Sequence, residues 1–526
     1  MACKVWSFIQ NYLLISSPRF RWVYCQLENL RQSLAPSVRR ILAELPESLD
    51  DTYERILHDI PKSNRVHAHR LHQCLTVAVR PLRVEELAEV LAVEFDTTEG
   101  IPKLSKNLRW EDQEQAVLSA CSSLIAVVSD RSSRVVQFAH FSVKEFLTSD
   151  RLATSKIDAS RYHHIGLEAA HTIMAQACLG VLLCLDSHID QARIEGFPLA
   201  LYAANNFGDH ADFGDVLSHI QGGVSSLLDV DKPHFSALLW LRQGKVPEHP
   251  EPLVATPLYY VAEFGFRSVT DYLISRRPED ISSRGELGMP LHAALYRGHA
   301  GVAQLLVEHC IDVDVRGVDD QPPLHLAVDH GRKLIEVTRQ LIGRHADIMA
   351  RDSKGRTTLH LSVDGKFDDT HFDTVRLLLE HGADVQAQDN DQSTPLHHAS
   401  YSGCVKTAQL LLEYGASVNE RNERGRTPLH QVTYLLHDDV PDAYFDTIRL
   451  LLVHGADVDA LDGHRDSPLH LSSYRGCIKA LRILLEHGAN VHLQNNDGKT
   501  PLQVASEGDK KGFVRVISEH LERMQV

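Results

Sequence analysis

Along residues 255–526 the apolar positions form pairs of short helical stripes that return at a near-constant interval. Each pair opens on one phrase: Thr256-Pro257-Leu258-Tyr259, Met289-Pro290-Leu291-His292, Pro322-Pro323-Leu324-His325, Thr357-Thr358-Leu359-His360, Thr394-Pro395-Leu396-His397, Thr427-Pro428-Leu429-His430, Ser467-Pro468-Leu469-His470 and Thr500-Pro501-Leu502-Gln503. The starts lie 33, 33, 35, 37, 33, 40 and 33 residues apart. Thr or Ser supplies an N-cap hydroxyl, Pro is tolerated at the first helical position, and Leu turns into the core, so each phrase starts a helix. A second stripe follows and closes on Gly382, Gly415, Gly455 or Gly488, the residue that accepts the left-handed conformation in which helices end. A polar tip such as Asp389-Asn390-Asp391 then leads to the next phrase.

Helix, helix and finger make one unit, and such a unit buries its apolar face only by stacking on its neighbours. In the first three units the helix-ending slot holds Arg277, Cys310 and His345. A non-Gly residue in the left-handed region costs roughly 1 kcal/mol or more, so these units are expected to be looser than the later ones. The last stripe, residues 513–523, carries Arg515, Glu519, His520, Glu522 and Arg523, a polar outer face suited to a terminal cap. Residues 372–379 and 401–406 return almost unchanged at 445–452 and 474–479, the sign of a copied pair of units. That copying places the insertions at 364–371 and 433–444 on one edge, opposite the fingers.

Before the repeats the pattern changes. Phe20, Val23, Leu27, Leu30 and Leu34 fall at helical spacing up to Pro36, and Ser48 opens a helix with Tyr53, Ile56, Leu57 and Ile60 on one face. Pro81 to Leu87 starts another helix, residues 115–123 a further one, and 124–128 and 135–138 read as strands around a polar turn. Helices followed by a hairpin read as a winged helix. Glu111, Asp112 and Glu114 precede the hairpin where a DNA reader would be basic, which favours protein packing over DNA readout. From 159 to 254 the chain reads as helices, with Ile165, Ala169, Ile173, Ala177 and Val181 as one stripe and 212–228 as another helix, a linker that also caps the first repeat.

Composition adds limits. The 526 residues are 43% apolar and 24% charged, and the net charge of −16 is spread with no basic block, which argues against a nucleic-acid partner. Nine scattered cysteines without a C-x-x-C read as free thiols of a reducing compartment. With no apolar run of membrane length, the expected location is the cytoplasm.

The period of 33 with this phrase resembles ankyrin repeats. Residues 20–31, 45–57, 138–147 and 201–210 resemble the segments that follow the nucleotide-binding core in NACHT-type STAND proteins with ankyrin tails, of the fungal type, and the winged-helix block resembles that of GPI inositol-deacylase-like proteins. The resemblance implies a P-loop upstream of Phe20, yet only 19 residues precede it. Gly498-Lys499-Thr500 has Leu493 where the first P-loop glycine must stand. The expectation is therefore the arm and sensor of a switch protein without its motor.

The expected fold is mainly α: an ankyrin-repeat solenoid of about eight repeats (253–526), preceded by a tail (1–17), a helical segment resembling the end of a NACHT module (18–61), a winged-helix-like domain (62–155) and a helical linker and cap (156–252). No G-x-S-x-G elbow, kinase signature or dinucleotide fingerprint is present. His164, Glu168 and His171 share a helix face, but one helix offers no fourth ligand. Acidic residues of the two insertions read as a solvated edge. No catalytic group, cofactor, metal, nucleic acid or membrane is expected, and the function read from the sequence is a non-enzymatic protein-interaction scaffold or sensor. The alternative is the C-terminal regulatory part of a NACHT signalling NTPase. The expected partner face comprises Phe264, Tyr296, Arg297, Tyr401, Tyr474 and Arg475 on the first helices, with finger residues Lys354, Arg356, Arg424, Arg426 and Lys499 beside them. Tyr and Arg dominate interface hot spots, and a basic strip on an acidic chain predicts an acidic protein segment as ligand.

Overall fold

The computed structural model describes residues 48–95, 97, 101–121, 124–130, 133–155, 161–185, 194–244, 255–363, 371–435, 440–508 and 510–524. The stripe from Phe20 to Leu34, residues 364–370 of the first insertion and residues 436–439 of the second lie outside these residues. The chain forms two compact units, Met1–Leu253 with Phe266–Tyr272, and Val254–Gly265 with Leu273–Val526.

In the first unit, helices Arg65–Val77, Val84–Val90 and Gln113–Cys121 lie with an antiparallel sheet in the order Leu82–Arg83, Ser133–Phe138, Ile125–Asp130. Its register pairs Leu82 with Val136 and Ile125 with Phe138. Pro81 to Leu87 is thus not one helix. Fully buried Leu82 joins the sheet, and the helix starts two residues later, where the Glu86 carboxylate accepts the Arg83 backbone N–H at 2.8 Å. Glu86 is itself buried and clasped by Arg80 at 2.7 and 2.8 Å; burial pushes its carboxyl up, but these bonds outweigh it and hold it below the usual range. Helix Leu49–His58, capped by Ser48, packs on helix Phe141–Leu147 through Tyr53, whose hydroxyl lies 2.9 Å from that of Ser142.

Helices Leu167–Leu182, Ala200–Ala211, Val216–Leu227 and Pro233–Gln243 complete this unit. The stripe expected through Ala169 and Ile173 is displaced: the buried positions are Ala170, Met174, Ala177, Cys178 and Val181, and Ala169 is exposed. Ile165 precedes the helix and so sets the wrong phase, and the last turns are apolar all round, which erases periodicity. Asp212 ends helix Ala200–Ala211 instead of opening the next one, and its carboxylate caps helix Arg267–Arg276 by accepting the N–H groups of Arg267 and Ser268 at 2.9 and 2.6 Å.

The second unit contains the repeats. Each of the eight phrases starts a helix: Pro257–Phe264, Pro290–Tyr296, Pro323–Asp329, Thr358–Ser362, Pro395–Ser402, Pro428–Tyr434, Pro468–Arg475 and Pro501–Glu507. The phrase leucine is buried in the first seven and half-buried in the last. The cap hydroxyl mostly binds a histidine, and that of Ser467 accepts the helix N–H of His470 as well. In Thr357, Thr394, Thr427 and Ser467 it meets the Nδ1 of the phrase histidine at 2.8–2.9 Å, and the same Nδ1 accepts the cap residue's backbone N–H at 3.1–3.2 Å. Nε2 then donates forward to a carbonyl of the next finger: His292 to Val315, His325 to Arg356, His360 to Ser393, His397 to Arg426, His430 to Asp466 and His470 to Lys499, at 2.8–3.1 Å. His381, His454 and His487 cap their own last turns by donating to the carbonyl four residues back at 2.8 Å.

Five fingers turn on an Asp or Asn whose side chain accepts two backbone N–H groups, as Asp352 does from Lys354 and Arg356, and Asn422 from Arg424 and Arg426. Neighbouring fingers are joined by one backbone bond each, from Ser353 N–H to Asp319, Asn390 to Lys354, Glu423 to Asp391, Gly463 to Arg424 and Asn496 to His464. The turn needs one left-handed residue, which is Gly355, Gly425 and Gly498 in three fingers but Gln392 (φ 56°) and Arg465 (φ 58°) in two. Both side chains are exposed, so Gln392→Gly and Arg465→Gly should each raise the denaturation midpoint by the equivalent of about 0.5–1 kcal/mol, the strain relieved less the extra freedom of an unfolded glycine.

Helix endings correct one expectation. Gly382, Gly415, Gly455 and Gly488 are left-handed (φ 84–89°), and so is His345 (φ 63°). Arg277 (φ −139°) and Cys310 (φ −69°) are not, so of the first three repeats only the third carries that strain. Without the left-handed step Cys310 itself turns inward (3% exposed) and Ile311 is thrown out to solvent (93%). Arg344 takes over the orphan carbonyls there, donating to those of Val307 and Cys310.

Candidate partner-binding face

The first helices leave one column open, six residues beyond the first helical residue. It holds Tyr296, Tyr401, Tyr434 and Tyr474, the last three on consecutive repeats. Tyr296, Tyr401 and Tyr474 are 53%, 49% and 68% exposed. Tyr434 escaped the sequence reading although it shares their register, because it falls within the stretch read as the second insertion, 433–444. It lies between two guanidiniums, with Arg426 4.3 Å and Arg475 4.7 Å from its ring. Arg475 donates from Nε to the Tyr434 carbonyl at 2.7 Å and also lies 5.8 Å from the Tyr474 ring, which fixes the guanidinium plane across two repeats.

The cations divide into two groups. Arg297 is paired with Glu263 (2.6 Å), Arg356 with buried Asp352 (2.8 Å), Arg426 with buried Asp462 (3.4 Å) and Lys499 with Glu507 (2.7 Å). Burial pushes the Asp352 carboxyl up, but the hydrogen bonds from Arg356 and the finger backbone hold it below its ordinary value. Lys354, Arg424 and Arg475 have no ion pair among the described residues, and Lys354 and Arg424 stand exposed at the finger tips. The strip is therefore less basic than its sequence: local carboxylates neutralise four of its members. Phe264 is half-buried in the first repeat.

The other chemistry weighed in the sequence has structural occupation. His171 meets His210 (Nδ1 to Nδ1, 3.0 Å) and stacks on Phe213 at 4.1 Å. His210 continues to the Tyr202 hydroxyl at 2.9 Å. Among the described residues no group of three or more His, Cys, Asp or Glu is placed to hold a metal ion, and no helix is long and apolar enough to cross a membrane. Gly498 serves a finger turn and Thr500 a helix cap, so Gly498-Lys499-Thr500 is accounted for without phosphate.

The family described as ankyrin repeats (3 copies) matches residues 258–352, 324–422, 368–440, 417–495 and 436–524, together about half of the chain. The family described as GPI inositol-deacylase, winged helix domain, matches 54–157. The chain is 29% identical over 316 residues to the azaphilone pigments biosynthesis cluster protein L of Monascus ruber, covering 55% of this chain and 65% of that protein. It is 32% identical over 146 residues to the human ankyrin repeat and SOCS box protein 6 (27% and 34%), and 36% identical over 109 residues to human neurogenic locus notch homolog protein 1 (20% and 4%). The chain spans less than two thirds of the length of each of these relatives.

Proposed function

The chain belongs to the ankyrin-repeat proteins, and on that premise we propose that it is a non-enzymatic protein-interaction scaffold or sensor whose partner docks on the tyrosine column of repeats 5 to 7. The observation that carries this is the held guanidinium of Arg475, flanked by Tyr434 and Tyr474 and, among the described residues, hydrogen-bonded at Nε alone, to the Tyr434 carbonyl. Its two terminal nitrogens form a preset fork for a carboxylate, and the exposed Tyr401 and Tyr474 supply contact area at small entropic cost. With Lys354 and Arg424 at the finger tips, the ligand is an acidic protein segment. Free cysteines, two of them buried thiols pushed far up by desolvation, fit a reducing compartment, and the cytoplasm is the proposed location.

The test uses the full chain to capture a partner, then compares Tyr401→Ala, Tyr474→Ala and Arg475→Ala combined against the parent by calorimetry. Binding should weaken by ~2 kcal/mol or more while the melting midpoint holds. Unchanged affinity would move the interface off this column.

A second reading is supported by the winged-helix match at 54–157: the chain as the regulatory and sensor part of a NACHT signalling NTPase. Genomic sequence upstream decides it. An in-frame P-loop there favours this reading, and its absence leaves the scaffold.

A further inference from the structure

A group of histidines meets where the winged-helix domain adjoins the helix that follows it. His67, His69 and His72 lie on helix Arg65–Val77; His163 and His164 lie on the turn entering helix Leu167–Leu182. His72 and His163 are fully buried, and neither ring nitrogen of either has a hydrogen-bond partner. Nδ1 of His67 and Nδ1 of His69 are buried and unbonded as well. The rings of His69 and His163 are 6.0 Å apart, Tyr162 lies 5.2 Å from His69 and 5.3 Å from His163, and Phe138 of the sheet lies 6.1 Å from His72.

A neutral imidazole always presents one N–H and one lone pair, and native interiors seldom leave such groups unsatisfied. Here several stand together. The helix Leu167–Leu182 brings the Cys178 thiol toward Cys74, and the sheet brings the Phe138 ring. The charged groups acting on these histidines are Arg65 on His163, Arg70 on His67 and His69, and the histidines on one another. No carboxylate is among them in the described residues, so nothing nearby compensates an added proton.

We propose that this cluster is an acid-sensitive latch between the winged-helix domain and helix Leu167–Leu182, shut while the imidazoles are neutral and released when they charge. Burial first, then mutual repulsion, holds His72 down at about 3 and His69 and His163 at about 4. The sign follows from these depressed values. The shut state is fully favoured above the ordinary value of 6.5, and its advantage is lost as pH falls from there toward 4, because only the open state takes up protons in that window. Between pH 7 and 5 each of the two histidines at about 4 shifts the balance roughly 20-fold toward the open state, and His72 at least as much, for more than a thousandfold together.

Hydrogen exchange of the full chain at pH 7 and 5, corrected for intrinsic rates, tests this in peptides covering 65–77 and 161–171. Protection there should fall at least a hundredfold further than in strands 125–138. Protection in the double variant His72→Leu, His163→Leu, which retains only His69 of the three, should fall no more than about 20-fold between pH 7 and 5. If that variant does not fold, His72→Gln with His163→Gln, which stays neutral and polar, replaces it under the same expectation. Equal protection at both pH values in the parent, or an equal fall in parent and variant, overturns the latch.

Discussion

Lowering the pH from 7.5 to 5.5 is expected to cost the repeat array on the order of 5 kcal/mol. The phrase histidines are the cause. Each is 0–1% exposed, with Nδ1 facing backbone N–H donors in most repeats and Nε2 facing a carbonyl, a geometry only the neutral Nε2–H form satisfies. Burial, opposed in part by the carbonyl bond, pushes His292, His397 and His430 down to about 4; His360 reaches about 4 as well, through burial and then the neighbouring His398. A depressed value means stability present above the unfolded value of about 6.5 and lost as pH falls through the folded value. At pH 5.5 each of the four forfeits about 1.4 kcal/mol; His325 and His470 shift in the same direction. Urea midpoints with exchange in repeats 4 to 6 as the local readout check this. A midpoint equal at both pH values would mean that the histidines are not held neutral.

Replacing His430 by Leu should cost the sixth repeat about 3 kcal/mol, more than the same change at a surface histidine. The Leu side chain fills the space but leaves the Thr427 N–H and hydroxyl and the forward carbonyl of Asp466 without their partner. The eighth repeat suggests the informative control. Gln503 stands in the histidine slot there, and its Oε1 accepts the Thr500 N–H at 2.8 Å. His430→Gln should thus keep the backward cap and lose the forward link, at about half the cost of Leu. It should also remove one proton's worth of acid sensitivity. Equal losses for Leu and Gln would assign the histidine's contribution to packing alone.

The repeats were legible because their signals are local and recur: a cap, a proline and a leucine name a helix start wherever they stand. Leu82–Arg83 was not, since its strand exists only through Val135 and Val136, more than fifty residues on. Of the proposed partner face, the exposure was legible and the charge was not. Tyr296, Tyr401 and Tyr474 are exposed as their register required, whereas the charge of the strip was misjudged because Arg426 finds Asp462 36 residues away, across a repeat boundary. Periodicity also hid the histidine cluster of the first unit. His67, His69 and His72 occupy no repeated slot, and nothing in a single stretch distinguishes a buried imidazole from a solvated one.

The bonds between repeats come in a reciprocal pair: a ring N–H reaches forward from one phrase to the next finger, and a finger backbone N–H reaches back. Donor and acceptor at each junction so joined therefore stand one period apart. Excising or inserting a whole period, cut at any point within it, rejoins each donor to an equivalent acceptor, while a partial cut strands both. Copying of the kind expected from the recurrence of 372–379 and 401–406 at 445–452 and 474–479 is consequently cheap for such a chain. Its length can drift by whole units while single side chains in the open column change, and neither kind of change disturbs the other.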